Sequence, residues 1–138
     1  MSSETRIEQG TPRTIKGAAV LGALFGAVTA VTTPPVLLEL QRTGELPISF
    51  GVRALGGGPF EALPVQTLMV LGWAFVGLNV LELLAARWLW QGRRRGAWLA
   101  VLLSIAGAPF WIGFALPHWL IVGPLRVVLL WRGWASLR

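Results

Sequence analysis

Asn79, Glu82 and Arg126 are the residues of this chain that could do chemistry inside an apolar surrounding. Asn79 and Glu82 lie three positions apart, so on a helix they share one face. A carboxylate, an amide and a guanidinium in one hydrocarbon-lined interior can build an ion or proton path. The same groups can build a structural charge pair instead. The rest of the chemical inventory is thin. There is one histidine, His118, between Pro117 and Trp119, and there is no cysteine and no aspartate. The absence of cysteine excludes disulfides, thiolate catalysis and cysteine metal sites. No paired carboxylates and no metal-ligand spacing fall within the apolar stretches, so neither a metal nor another cofactor is expected, nor an enzyme. His118 reads as an interfacial turn residue, with axial ligation of a haem or contact with a quinone as the competing reading.

The elements that must position these residues are apolar stretches. A bilayer core takes about 20 apolar helical residues to cross, and residues 14–33, 65–84, 97–116 and 119–137 each come close. Composition agrees: 54% of residues are hydrophobic, 13% are charged and the mean hydropathy is +0.65. These proportions do not fit a wettable soluble domain. The predicted fold is all-α, an integral membrane four-helix bundle in a single domain. A tail (1–13) precedes the first span, a long outer loop (34–64) joins the first two, an inner turn (92–96) follows a second helix extended to residue 91, and an outer turn (117–118) precedes the last. Gly123-Pro124 interrupts that last stretch. Either the helix passes through the break from Trp119, or it starts at Pro124, a favoured first-turn residue.

Counting inward from the outer boundary at about 1.5 Å per residue puts Asn79 ~16 Å deep, Glu82 ~21 Å deep and Arg126 ~10 Å deep. Arg87 or the arginine turn is then the expected partner of Glu82. An Arg126–Glu82 bridge would need tilt or a kink, and Glu39 or Glu61, folding back from the loop, are rival partners for Arg126.

Positive charge sets the expected orientation, because cytoplasmic ends and short loops retain Lys and Arg. Arg6, Arg13, Lys16, Arg87, Arg93, Arg94, Arg95, Arg132 and Arg138 flank one side, whereas residues 34–64 hold Arg42 and Arg53 against Glu39, Glu45 and Glu61. Both termini are expected in the cytoplasm, in a multi-pass protein of the cell (plasma or inner) membrane. The net charge of +6 is then a topology signal, and no nucleic-acid partner is expected. A signal peptide cleaved after Ala30 is the rival reading of the first stretch.

Ala18, Gly22, Gly26 and Ala30 recur every four residues, the spacing of small residues that lets membrane helices approach closely. Most of the eight tryptophans fall near span boundaries, where indoles anchor at headgroup level; Trp73 and Trp111 are the candidates for lining a ligand cavity. Arg93, Arg94 and Arg95 are candidates for holding anionic lipid headgroups. Within the long loop, residues 36–40 could extend the first helix past Pro34-Pro35, residues 48–55 alternate weakly, and Gly56-Gly57-Gly58-Pro59 breaks regular structure. A short hairpin, a flap over the bundle mouth and a plain connector all fit.

The segment Ala86 to Trp98, with Trp88, Trp90 and Trp98 around Gly92-Arg93-Arg94-Arg95-Gly96, resembles the helix–turn–helix joint of small uncharacterised prokaryotic four-helix membrane proteins of DoxX-like type. The resemblance implies the four-helix topology and carries no catalytic residue. The expected role is a non-catalytic membrane protein, either an accessory subunit or a bundle that holds a lipophilic molecule. Membrane lipids are its expected partners, with a homo-oligomer or a larger membrane complex in prospect. The alternative is a small oligomeric transporter or channel with a polar path through Asn79, Glu82 and Arg126.

Overall fold

The computed structural model describes residues 11–49 and 51–138; Arg6, part of the charge argument, lies outside them. Four helices make the fold: α1 (Arg13–Thr43), α2 (Val65–Trp90), α3 (Arg94–Gly113) and α4 (Pro117–Gly133). Each packs on its sequence neighbour and α4 closes on α1, giving an up-down-up-down ring. The helices α1, α2 and α3 are each long and apolar enough to cross a membrane. With 17 residues, α4 spans only ~25 Å.

The first helix runs ten residues beyond Thr33, through both Pro34 and Pro35. Proline removes a donor and crowds the carbonyl one turn earlier, so the pair was the expected break, with an extension over residues 36–40 as the alternative. Packing overrides it. The buried positions Gly26, Thr29, Thr33, Leu37 and Leu40 continue one face across the prolines, and Leu37 seats against the bare backbone of Gly72. Gly44 ends the helix with φ of 74° and an N–H bonded to the Leu40 carbonyl at 2.8 Å. At 31 residues, α1 is ~46 Å long and outreaches a ~30 Å hydrocarbon core.

The inner turn is shorter than residues 92–96. Gly92, at φ 71°, donates to the Leu89 carbonyl and Arg93 donates to the Trp88 carbonyl, the paired bonds of a Schellman cap. The chain re-enters helix at Arg94. The C-terminal segment docks here, with reciprocal backbone bonds from Arg94 to Arg138 and from Arg138 to Gly92. Ile15 covers Gly133 and Lys16 lies over the Trp90 ring, so both ends of the described chain meet the α2–α3 turn at one end of the bundle. The last helix starts at Pro117 and passes through Pro124, which displaces the reading that begins it at Pro124.

The opposite end is capped. Two-residue strands, β1 (Ile48–Ser49) and β2 (Val52–Arg53), pair antiparallel, and a 3₁₀ turn at Pro59–Ala62 packs on α3. Of the three readings left open for the loop, the short hairpin is present, pairing residues 48–49 with 52–53, and the 3₁₀ turn lies on the bundle as a flap would. Phe60 covers Gly113 and stands edge-on to Phe110 and Phe114, 6.3 and 5.1 Å between centroids. Arg53 pairs with Glu61, whose carboxylate also accepts the Gly57 N–H at 2.7 Å. That backbone bond first, and Arg53 second, hold Glu61 below the usual carboxylate range. A depressed carboxyl stabilises the fold above its unfolded pKa and loses that contribution as pH falls through its folded value. The Glu61 tie is therefore present at neutral pH and lost in acid, below the ordinary value of 4.5. Glu61→Gln is expected to speed amide hydrogen exchange at Gly57 at neutral pH while leaving exchange in the four helices unchanged.

Candidate functional site

Two apolar clusters fill the bundle. One, toward the α2–α3 turn, gathers Ile15, Ala18, Ala85, Leu89, Ala97 and Leu130; the other, toward the capped end, gathers Leu40, Leu68, Phe75, Trp111, Phe114 and Trp119. A polar layer made of Asn79, Glu82, Ser104 and Arg126 brings together α2, α3 and α4, and all four residues are buried.

Glu82 and Arg126 form a forked ion pair. Arg126 Nη1 donates to Glu82 Oε2, and Nη2 donates to Oε1 at 2.9 Å. From α3, the Ala100 carbonyl and Ser104 Oγ accept from the same Nη2 at 2.8 and 3.0 Å. The side chains are 1% (Arg126) and 5% (Glu82) exposed. Parallel charge-assisted bonds of this kind fix geometry as well as charge. A buried pair contributes little net stability over an apolar replacement, yet removing one partner strands the other. This arrangement therefore pins the relative depth of α2 and α4 to each other and to α3. Arg126 Nε is the one buried side-chain polar atom without a hydrogen-bond partner among the described residues.

This contact corrects two expectations. The partner of Glu82 is Arg126, not Arg87 or the arginine turn, and the rivals Glu39 and Glu61 pair with Arg42 and Arg53 instead. Depth counted from the outer boundary misled because α4 is short and begins lower in the bundle than α2. Counted from the inner ends, Glu82 lies ~12 Å above Trp90 and Arg126 ~10 Å above Gly133, at about 1.5 Å per residue. The inner ends are the ones in register.

The first helix contributes glycine. A Cβ on Gly22 would stand 3.1 Å from Arg126 Nη1 and 3.7 Å from Glu82 Oε2; one on Gly26 would stand 3.1 Å from Glu82 Cβ and 3.2 Å from the Asn79 carbonyl. Glycine thus lets α1 lie directly over the ion pair. Ala18 is fully buried with them, whereas Ala30 is only half-buried. A four-residue period drifts from the 3.6-residue turn, and the buried face passes to Thr29 and Thr33.

Asn79 spends its amide on its own helix, donating to the Phe75 carbonyl at 2.8 Å. Beside it and Glu82 is a cavity of about 10 Å³, also lined by Phe75, Gly107, Trp111 and Trp119. That volume admits at most one water molecule. Trp111 is buried, stacked on Trp119 at 5.7 Å and 5°, with its ring against Gly123; Trp73, 44% exposed, lies on the outside. Trp119 Nε1 donates to Thr29 Oγ1 at 3.3 Å, tying α4 to α1. His118 stacks on Phe25 at 6.0 Å. Arg93 and Arg95 are exposed at the α2–α3 turn, while Arg94 donates from Nε to the Leu137 carbonyl.

Sequence reasoning passed over Ser104. Its hydroxyl donates to the Ala100 carbonyl at 2.8 Å, and a serine satisfied one turn back on its own helix adds little cost in an apolar stretch. Its place in the middle of the third stretch was the available signal. No family model, curated protein or solved structure matches the chain.

Proposed function

We propose that this protein is a non-catalytic integral membrane four-helix bundle of the cell membrane, acting as an accessory subunit or as a holder of a lipophilic molecule. The observation that carries the reading is the Glu82–Arg126 pair. Each spends its charge on the other in a closed layer, with an apolar cluster above and below. Charges so engaged hold helices in register and are not free to pass an ion or a proton.

Membrane insertion is supported by an inverted surface. Arg126 and Glu82 are inside, whereas Val31, Val70, Ile105, Ile121 and Trp131 are each at least two-thirds exposed. Large apolar side chains exposed on all four helices belong against lipid or a partner. For the cytoplasmic placement of both termini, the support is the clustering of Arg13, Arg87, Arg93, Arg95, Arg132 and Arg138, all exposed, toward the end where the termini meet. At the capped end, Arg42 and Arg53 are each paired with a carboxylate. A Gly57→Cys variant is accordingly expected to label with an impermeant maleimide from outside intact cells. Labelling from the cytoplasmic side alone would reverse the topology.

The transporter reading is tested by reconstitution. Proteoliposomes with the unmodified protein are expected to show the same proton and alkali-cation flux as empty liposomes. Flux that disappears in Glu82→Gln while the bundle still assembles would make the polar layer a path. The exposed Arg93 and Arg95 remain candidates for anionic headgroups at the inner interface.

A further inference from the structure

The lipid-facing side of the α1–α2 seam carries an open groove of about 380 Å³. The small residues Ala19, Ala23 and Ala86 form its base, and Ala19 and Ala86 are buried. Val20 and Leu83 flank it. Leu83 to Trp90 covers about 10 Å of helix axis, ending where α2 ends. At that end stand Arg87 and Trp90. Lys16 joins them from α1, with Nζ 5.3 Å from the centroid of the Trp90 ring. The groove thus runs from apolar trough to Arg87 and Trp90, with Lys16 against the indole just beyond its lining, and no carboxylate lines it. Neither Lys16 nor Arg87 forms an ion pair among the described residues.

We propose that this groove binds one anionic phospholipid, with an acyl chain along Ala19, Ala23 and Ala86 and the phosphate held by Lys16 and Arg87 beside the Trp90 indole. The proposal rests on the membrane reading above and names the lipophilic ligand. Its physical basis is the match of an apolar trough to a hydrocarbon chain and of two cations to one phosphate, at the depth where an indole anchors. Alanine supplies the trough, because any larger side chain on that face would fill it. The site is separate from the arginine turn, whose Arg94 guanidinium is committed to Leu137.

The test is native mass spectrometry of the full chain in neutral detergent, titrated with phosphatidylglycerol or with phosphatidylcholine. One phosphatidylglycerol is expected to stay bound with roughly 25-fold preference over phosphatidylcholine, from two basic residues worth about fivefold each. Lys16→Gln with Arg87→Gln should erase that preference, and Arg132→Gln, an exposed arginine near the same end of the bundle on α4, should leave it within about twofold. Ala23→Leu should weaken retention of both lipids by filling the trough. Lys16 and Arg87 are exposed, so the charge arm remains decisive even if Ala23→Leu does not fold. Equal retention of the two lipids, a preference untouched by the Lys16/Arg87 change, or a dimer cross-linking through Val20 and Leu83 in place of lipid would overturn the proposal. A chain that incorporates into liposomes yet shows no preference loses only this site. One that fails to incorporate loses the membrane reading with it.

Discussion

Glu82→Gln is expected to lower stability by about 3–5 kcal/mol, the cost of leaving a buried partner uncompensated, and to cost more than Arg126→Met. The asymmetry follows from the groups left behind. Removing the arginine leaves a carboxyl that can become neutral by taking up a proton, whereas removing the carboxylate leaves a guanidinium that keeps its charge under all ordinary conditions. That guanidinium would retain only the Ala100 carbonyl and Ser104 as acceptors, besides whatever the new amide offers. Unfolding in a detergent–denaturant titration ranks the two. Equal losses, or a larger loss for Arg126→Met, would indicate that Arg126 reaches water in the folded protein.

Gly26→Leu carries the second large effect. The Cβ alone would press on both Glu82 Cβ and the Asn79 carbonyl, and the remaining leucine atoms have no space between α1 and α2. Overpacking costs about 1–3 kcal/mol, occasionally more, and here it also pushes apart the helices that cover the ion pair. Ala30→Leu, one turn on and half-buried, is expected to be nearly neutral. The same thermal-stability series checks both. Comparable losses at the two positions would mean that the α1 face follows the strict four-residue stripe.

How much of this was legible in the sequence divides along physical lines. Helix number and type were, because apolar runs as long as 65–84 and 97–116 exceed the length of a strand and read as helix. The extent of α1 was not. A proline pair is a local stop signal, and only the fit of Leu37 against Gly72 and of Leu40 beside Leu68 and Phe75 keeps that helix going. Of the polar layer, Glu82 and Arg126 stood out because charge in an apolar stretch is rare. Their union did not, since it depends on which helix ends are level, and the short α4 shifts its outer end but not its inner one. Ser104 satisfies itself locally and leaves little trace in a hydropathy pattern.

Whether Glu82 and Arg126 act as one structural unit is measured directly by a double-mutant cycle in detergent or nanodiscs. The cycle compares Glu82→Gln, Arg126→Met and the double variant. Strong coupling is expected, of about 2–3 kcal/mol, with the double variant more stable than Glu82→Gln alone because no charge is stranded. Additive losses, with the double variant the least stable of the three, would contradict it.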